Sequence, residues 1–324
     1  MTGENSNVEA LRERARNGDA QALTTLAKRL LAGDGVRLAP EEGIELLRQA
    51  VAQGKGEAAA LLSVCAAWGV GQPRDIVAAL DALEQAANLG WTTAQSELQL
   101  LARDRGTDWD ALRERVDVAE SIAARPVRIA RERPRILVLE NFLSAEECSW
   151  LVHRGRPGLS RAMVYRGSAT PQFADTRTNK EVSLTIFHAD IVLNLIRERM
   201  STTTRAPTSC FEIAKLLHYE PGQQFALHAD FIQPTTPQLV QEIKTRGQRA
   251  ATLLVYLTDE YEGGETEFPR IGLRFKGRRG DALLFSNVDD SGAPDYDTVH
   301  AGLPPLSGEK WVLSQWIRTR QIVR

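Results

Sequence analysis

The chain has 324 residues, 43% hydrophobic and 25% charged, enough to bury a full core and long enough for two domains of ordinary size. With 40 Lys and Arg against 42 Asp and Glu the net charge is -2, which excludes a global electrostatic drive towards nucleic acid or an anionic membrane. The first residues, Met1 to Asn7, carry no apolar stretch behind a basic one, and no run of about eighteen apolar residues occurs anywhere. Cys65, Cys148 and Cys210 form no CxxC and read as reduced structural thiols, so a cytoplasmic protein without nucleic-acid or membrane partners is expected.

Self-similarity dominates the first third of the chain. Gly18, Gly54 and Gly90 recur every 36 residues, followed at the same period by Ala22, Ala58 and Ala94 and by Leu26, Leu62 and Leu98. Gly33 with Gly69, Gly35 with Gly71, Leu47 with Leu83 and Ala50 with Ala86 add matched columns. Apolar residues fall at helical spacing within each unit, as in Leu23-Leu26-Ala27-Leu30, which predicts an α-solenoid of two-helix hairpins. The pattern resembles Sel1-like repeats, cousins of the tetratricopeptide repeat, over residues 7 to 104, as two units and the first helix of a third. That resemblance implies either a docking surface for a protein partner or an array that packs on the next domain.

Thr107 is expected to cap a further helix, with Asp110 at its third position, that runs to about Ala124. Pro126 ends it, and Arg125, Arg128, Arg131, Arg133 and Arg135, with Pro134 among them, read as a solvated linker. The expected organisation is a helical repeat domain at 1–124, a linker at 125–133 and a second domain at 134–324.

Ile136 to Leu139 is an apolar strand, and Ser144 with Glu147 forms a capping box ahead of a helix through Trp150-Leu151-Val152. Asp190 to Met200 reads as a second helix. Strands then dominate, at Phe211 to Tyr219, Ala250 to Leu257, Ala282 to Phe285 and Trp311 to Ile317, separated by Pro221-Gly222, Gly263-Gly264 and Gly280-Asp281 turns. Helices first and many short strands after predict a β-barrel-like sandwich with supporting helices, and so a multidomain α + β chain.

His228 and Asp230 stand two apart on a strand and share a face, and a third ligand is available at His300. Two imidazoles and one carboxylate leave about half of an octahedral shell open, the ligand set of non-haem Fe(II) oxygenases. The same three could hold zinc with an open position for hydrolysis, or be ordinary hydrogen-bonded side chains. Lys310 sharpens the choice. On the last strand Lys310, Val312, Ser314, Trp316 and Arg318 share one face, and an ammonium turned into a barrel needs an anionic partner. The far carboxylate of a dicarboxylic cosubstrate would supply it.

Residues 134–324 resemble the prolyl 4-hydroxylase group of 2-oxoglutarate- and Fe(II)-dependent dioxygenases. The matching segments are Asn141-Phe142-Leu143-Ser144 with Glu147-Cys148, Arg177-Thr178-Asn179, and His218-Tyr219-Glu220 with Gly222-Gln223. They continue with Phe225, His228 and Asp230, Gln248-Arg249 with Thr252, Gly263-Gly264-Glu265-Thr266, Gly280-Asp281-Ala282 and His300-Ala301-Gly302. The last is Gly308 with Lys310-Trp311-Val312 and Trp316.

The resemblance implies a double-stranded β-helix, or jelly roll, with Fe(II) on His228, Asp230 and His300. It implies 2-oxoglutarate held by Lys310, Tyr219 and Thr266, and substrate near Arg249, Trp316 and Arg318, with O2 as oxidant and ascorbate as an accessory reductant. The implied reaction hydroxylates an unactivated C–H bond, first of all in prolyl residues of a protein or peptide, releasing succinate and CO2. A free amino acid or small metabolite is the alternative substrate. A non-catalytic Sel1-like scaffold with a degenerate oxygenase domain is the alternative function. Two departures bear on the substrate: the family's Arg-Thr-Ser segment reads Arg177-Thr178-Asn179, and Gln233 to Gly247 carries Pro234-Thr235-Thr236-Pro237 where a mobile lid is expected.

Overall fold

The structure is a computed structural model that describes residues 3–164 and 172–322. It divides into two compact units: Met1–Ser121 with Ala189–Ile196, and Ile122–His188 with Arg197–Arg324. Among the described residues no helix is long and apolar enough to cross a membrane.

The first unit is built from α1 (Gly3–Arg16), α2 (Ala20–Ala32), α3 (Pro40–Ala52), α4 (Gly56–Trp68), α5 (Ile76–Asn88) and α6 (Thr92–Ala102). The helices repeat at the period of the sequence columns: α2 with α3 and α4 with α5 are the two predicted pairs, α6 is the first helix of a third, and α1 is an additional helix ahead of them. Ala58 and Ala94 are fully buried, and so are Leu47 and Leu83, which lets neighbouring helices approach closely. Asp19 and Asp75 cap α2 and α5 by accepting two backbone N–H groups each.

The glycine columns serve two different purposes. Gly18, Gly54 and Gly90 adopt φ of 80, 81 and 79°, and a Cβ at Gly54 or Gly90 would meet nothing within 4 Å, so conformation alone selects them. Gly71 combines φ of +65° with a close approach: a Cβ would lie 2.7 Å from the backbone of Pro40. Gly71→Ala is therefore expected to destabilise the repeats by about 2–4 kcal/mol, left-handed strain and overpacking together, against about 1–2 kcal/mol for Gly54→Ala. Denaturant titration of the full chain checks the ordering.

Where one helix is expected between Thr107 and Ala124, two short ones form, α7 (Trp109–Glu114) and α8 (Val118–Ile122). Asp108, not Thr107, accepts the capping bond from Ala111, and Asp117 starts a second helix by accepting from Glu120. The first turns of α10 (Ile191–Thr204) also group with this unit rather than with the domain that follows. The buried carboxylate of Glu97 accepts N–H groups of Ile191 and Val192 at the positive end of that helix.

The second unit opens with β1 (Arg128–Arg131), which lies inside the stretch expected to be linker. It pairs antiparallel with β2 (Ile136–Leu139) and is exposed along its whole length, so the arginines are solvated as expected but on an edge strand. The capping box at Ser144 and Glu147 starts α9 (Ala145–Gly155). Next come β3 (Ser160–Arg161), β4 (Lys180–Ser183), β5 (Lys215–Tyr219), β6 (Phe225–His228) and β7 (Arg249–Tyr256). Then follow β8 (Tyr261–Gly263), β9 (Thr266–Phe268), β10 (Leu273–Phe275) and β11 (Ala282–Ser286), and finally β12 (His300–Gly302), β13 (Pro305–Gly308) and β14 (Lys310–Arg318).

Eight of these make one sheet in the order β1-β2-β11-β7-β14-β5-β4-β3, four make a second in the order β10-β9-β12-β6, and β13 pairs with β8. Val138, Leu217, Leu254, Leu283 and Val312 of the large sheet meet Phe268 of the small one, with Phe225 and Phe275 packed alongside. This double-stranded β-helix is the predicted jelly roll. Strand parity then does the placing: with Val312 in the inter-sheet core, Lys310, Ser314 and Trp316 turn the same way, while Trp311 and Leu313 are buried on the opposite face.

Residues 237–246 form α11 (Pro237–Arg246) where a lid is expected. Its C-terminal end is tied down: Arg318 donates to Glu242 Oε1 at 2.6 Å and to the Gly247 carbonyl at 2.8 Å, and Gln248 bonds Ile232 in both directions.

Candidate metal centre and its cavity

His228 closes β6 and His300 opens β12, and the two are direct partners in the register of that strand pair. Pairing thus brings together two histidines 72 residues apart, and Asp230 follows two residues beyond the first. One ligand atom from each of the three lies within 4.8 Å of the others. Asp230 Oδ1 is 3.6 Å from His228 Nε2, and Asp230 Oδ2 is 3.8 Å from His300 Nε2.

Each imidazole is oriented by its own chain. His228 Nδ1 donates to the Ala226 carbonyl at 2.9 Å and His300 Nδ1 to the Thr298 carbonyl at 3.0 Å, which fixes both tautomers and leaves both Nε2 lone pairs free. Burial, and then the neighbouring His300, drive His228 far down, to about 3, so it is neutral and able to ligate. Burial opposes the ionised form of Asp230, but His300, His228 and a hydrogen bond from Thr252 outweigh it and hold the carboxyl below its usual range.

Stacked rings hold the geometry. Phe225 lies under His228 with ring centroids 3.5 Å apart, and the Arg177 guanidinium sits 4.3 Å from the Phe225 ring centre. Arg177 is buried and held by Glu181 at 2.5 Å and the Met163 carbonyl at 3.0 Å. His300 packs edge-on against Phe285 at 4.9 Å.

The three ligands share a cavity with Lys310, Tyr219, Thr266 and Trp316. Lys310 is 2% exposed and stands opposite Tyr219 in the β14–β5 register, its Nζ 5.1 Å from the Tyr219 ring centre and 5.8 Å from that of Tyr256. Among the described residues no carboxylate forms an ion pair with it. Burial pulls its ammonium down to about 7, with Glu265 opposing only in part. The Tyr219 phenol is pushed up by burial to about 12 and so keeps its proton as a donor. Thr266 is already engaged, its hydroxyl 2.8 Å from that of Tyr256.

Of the three residues expected at the substrate entrance, Trp316 alone lines this cavity. Arg249 lies behind it, stacked on the indole at 3.6 Å and paired with Glu212 at 2.7 and 3.0 Å. Arg318 is buried rather than at the surface. The register shifts between Ile317 and Arg318, and the guanidinium goes to Glu212, Glu242 and the Gly247 carbonyl. Two carboxylates and a carbonyl take up its donors, so it contributes to the fold and not to the cavity.

The donor set fits Fe(II): two imidazole nitrogens whose ring partners are tied to backbone carbonyls and one ionised carboxylate, all lining one cavity. The buried Lys310 on the same cavity, with no carboxylate ion pair among the described residues, fits a dicarboxylate, because an uncompensated buried charge is costly. Phe225, Thr252 and Arg177 stand in the matched segments without an assigned role, and Tyr256 lies outside those segments. Parity carried a signal for two of them, since Thr252 and Tyr256, with Leu254 between, alternate along β7 in the manner of Lys310 and Ser314.

The family profile of the 2OG-Fe(II) oxygenase superfamily matches residues 214–318. Prolyl 4-hydroxylase 1 of Arabidopsis thaliana is 35% identical over 204 residues, covering 58% of this chain and 70% of that protein. Among solved structures, the 2OG complex of a viral collagen prolyl hydroxylase from Paramecium Bursaria Chlorella virus-1 aligns at 28% identity and a TM-score of 0.45, over 57% of this chain and 96% of that one. A Sel1 repeat protein from Oxalobacter formigenes aligns at 27% identity and a TM-score of 0.29, over 34% of this chain and 87% of that one.

Proposed function

The chain belongs to the prolyl 4-hydroxylase family of 2-oxoglutarate- and Fe(II)-dependent dioxygenases, and on that premise we propose that it hydroxylates prolyl residues of a protein or peptide. One observation carries the reading: the His228, Asp230 and His300 cluster and the unpaired Lys310 face a single cavity. Iron bound with 2-oxoglutarate and O2 supplies the oxidising chemistry that converts a C–H bond to C–OH and releases succinate and CO2. The chain's own residues position and protect.

His228, Asp230 and His300 hold the metal. Lys310 pairs with the far carboxylate of 2-oxoglutarate, and the Tyr219 hydroxyl, protonated at any ordinary pH, donates to the same group. Thr266 contributes through its bond with Tyr256, which braces that end of the cavity. Trp316 forms the wall on which the substrate rests, stiffened from behind by Arg249. The aromatic rings around the ligands restrict water.

In the same proposal the helical repeats bind a protein partner, since hairpin arrays offer extended faces. The cytoplasm is the proposed site of action, supported by three cysteines that are free and buried, as in a reducing compartment.

Cosubstrate binding should depend on pH, with a sign that Lys310 sets. In the free protein the ammonium loses its proton near 7, and a bound dicarboxylate favours the protonated form. Above that pH, binding must take up a proton, and the affinity for 2-oxoglutarate should fall by up to about tenfold per pH unit. Calorimetry at pH 8 in buffers of different ionisation enthalpy measures the uptake, expected to approach one proton per 2-oxoglutarate. Anaerobic addition of Fe(II) and 2-oxoglutarate should also produce a weak visible charge-transfer band, and its absence, together with no succinate once O2 is admitted, would favour the scaffold reading.

A further inference from the structure

Thr252 on β7 and Asn287 just after β11 are both fully buried, and neither lines the cavity. The ionised Asp230 has only lone pairs to offer, so the single hydroxyl proton of Thr252 goes to Asp230 Oδ2, at 2.7 Å. That leaves Thr252 Oγ1 as an acceptor, and Asn287 Nδ2 donates to it at 2.9 Å. The Asn287 backbone is pinned on both sides: its N–H donates to the Ala250 carbonyl at 2.7 Å and its carbonyl accepts from Asp295 at 3.0 Å.

The orientation of the amide follows from this accounting. Turned the other way, Asn287 Oδ1 would face Thr252 and compete with Asp230 for the one proton. In the orientation adopted, Oδ1 is buried with no hydrogen-bond partner among the described residues.

We propose that Thr252, locked by Asn287, is a positioning residue that ties down Asp230 Oδ2 and leaves Oδ1 as the carboxylate's ligand oxygen. A carboxylate free to turn could chelate with both oxygens and fill a position that the cosubstrates need. The proposal rests on the iron reading above.

The test uses the full-length apo protein and Co(II), an air-stable stand-in for Fe(II). Thr252→Val keeps the shape and removes the hydroxyl. It should weaken Co(II) binding by about 10–100-fold in calorimetry, the range for lost outer-shell partners, and change the visible spectrum of the bound ion. Thr252→Ser, which restores the hydroxyl, should return both towards wild type. Wild-type affinity and spectrum in Thr252→Val would overturn the proposal, as would equal losses in the Val and Ser variants, since the restored hydroxyl would then rescue nothing. If Thr252→Val fails to fold, Asn287→Ala decides: it keeps the hydroxyl but unlocks it, a smaller loss supports the proposal, and wild-type affinity overturns it. A wild-type protein that binds no Co(II) or Fe(II) would overturn the iron reading, and the proposal with it, which separates the two failures.

Discussion

Replacing His228 by alanine is expected to abolish Fe(II) binding and, with it, conversion of 2-oxoglutarate to succinate. The imidazole is prepared to be a ligand before any metal arrives. Its Nδ1 is spent on the Ala226 carbonyl, its ring rests on Phe225, and burial keeps it neutral. Little ordering remains to be done on binding, so most of the bond energy appears as affinity, and removing the group forfeits it. Asp230 and His300 alone offer two ligands, too few to hold a hard divalent ion firmly. Since loss of an outer-shell partner already costs about 10–100-fold in affinity, loss of the ligand itself should exceed that range. Anaerobic calorimetry with Fe(II) measures it. Wild-type affinity in His228→Ala, with the apo fold intact, would remove His228 from the metal site.

Lys310→Met should act in two opposite directions. The cation is buried between Tyr219 and Tyr256 with no ion pair among the described residues, so in the absence of cosubstrate it weakens the fold. A methionine of similar length should stabilise the apo protein by about 1–4 kcal/mol near neutral pH, as hydrophobic replacements of buried charges do. The pH dependence carries the sign. The folded-state value, about 7, lies below the ordinary 10.5, so between these values the unfolded chain binds more protons and stability rises with pH. Below about 7 both states are protonated and the full penalty applies. The Met variant should therefore lack this rise between pH 7 and 10.5, which thermal melts at several pH values would reveal.

At the same time, affinity for 2-oxoglutarate should collapse while Co(II) or Fe(II) affinity stays at the wild-type level. A stabilising substitution that destroys cosubstrate binding is the signature of a group kept for function against the interest of the fold. Equal 2-oxoglutarate affinity in wild type and variant, or a less stable variant with normal binding, would take Lys310 out of this role. Lys310→Ala should also weaken the cosubstrate, but the cavity it leaves would mask the gain in stability.

What could be read from residues alone follows the range of the interactions. The repeat was legible because each helix meets a neighbour at fixed sequence distance, and the three glycines at one φ, 36 residues apart, are that regularity in backbone form. His228 with Asp230, and Lys310 with Ser314 and Trp316, were legible because strand parity relates residues two apart. The box at Ser144 and Glu147 was legible for the same local reason.

Features that depend on register between distant strands were not. Arg318 reads as the end of the Lys310 face until the register shift and the carboxylates of Glu212 and Glu242 claim it from elements far along the chain. Thr252 and Asn287 are 35 residues apart and meet only because β7 and β11 pair. The edge strand β1 looked like linker because every one of its residues is exposed, so no alternation of burial marked it.

Hydroxylation of proline in this cavity, with 2-oxoglutarate and O2, can be observed directly. The most direct measurement incubates the full-length protein with Fe(II), 2-oxoglutarate, ascorbate and a proline-rich peptide under isotopically labelled O2, and analyses the peptide by mass spectrometry. Hydroxyproline that carries the label is expected, with one succinate formed for each residue modified. Labelled succinate without modified proline would contradict the assigned substrate, and neither product from a protein that binds Fe(II) would contradict the assigned reaction.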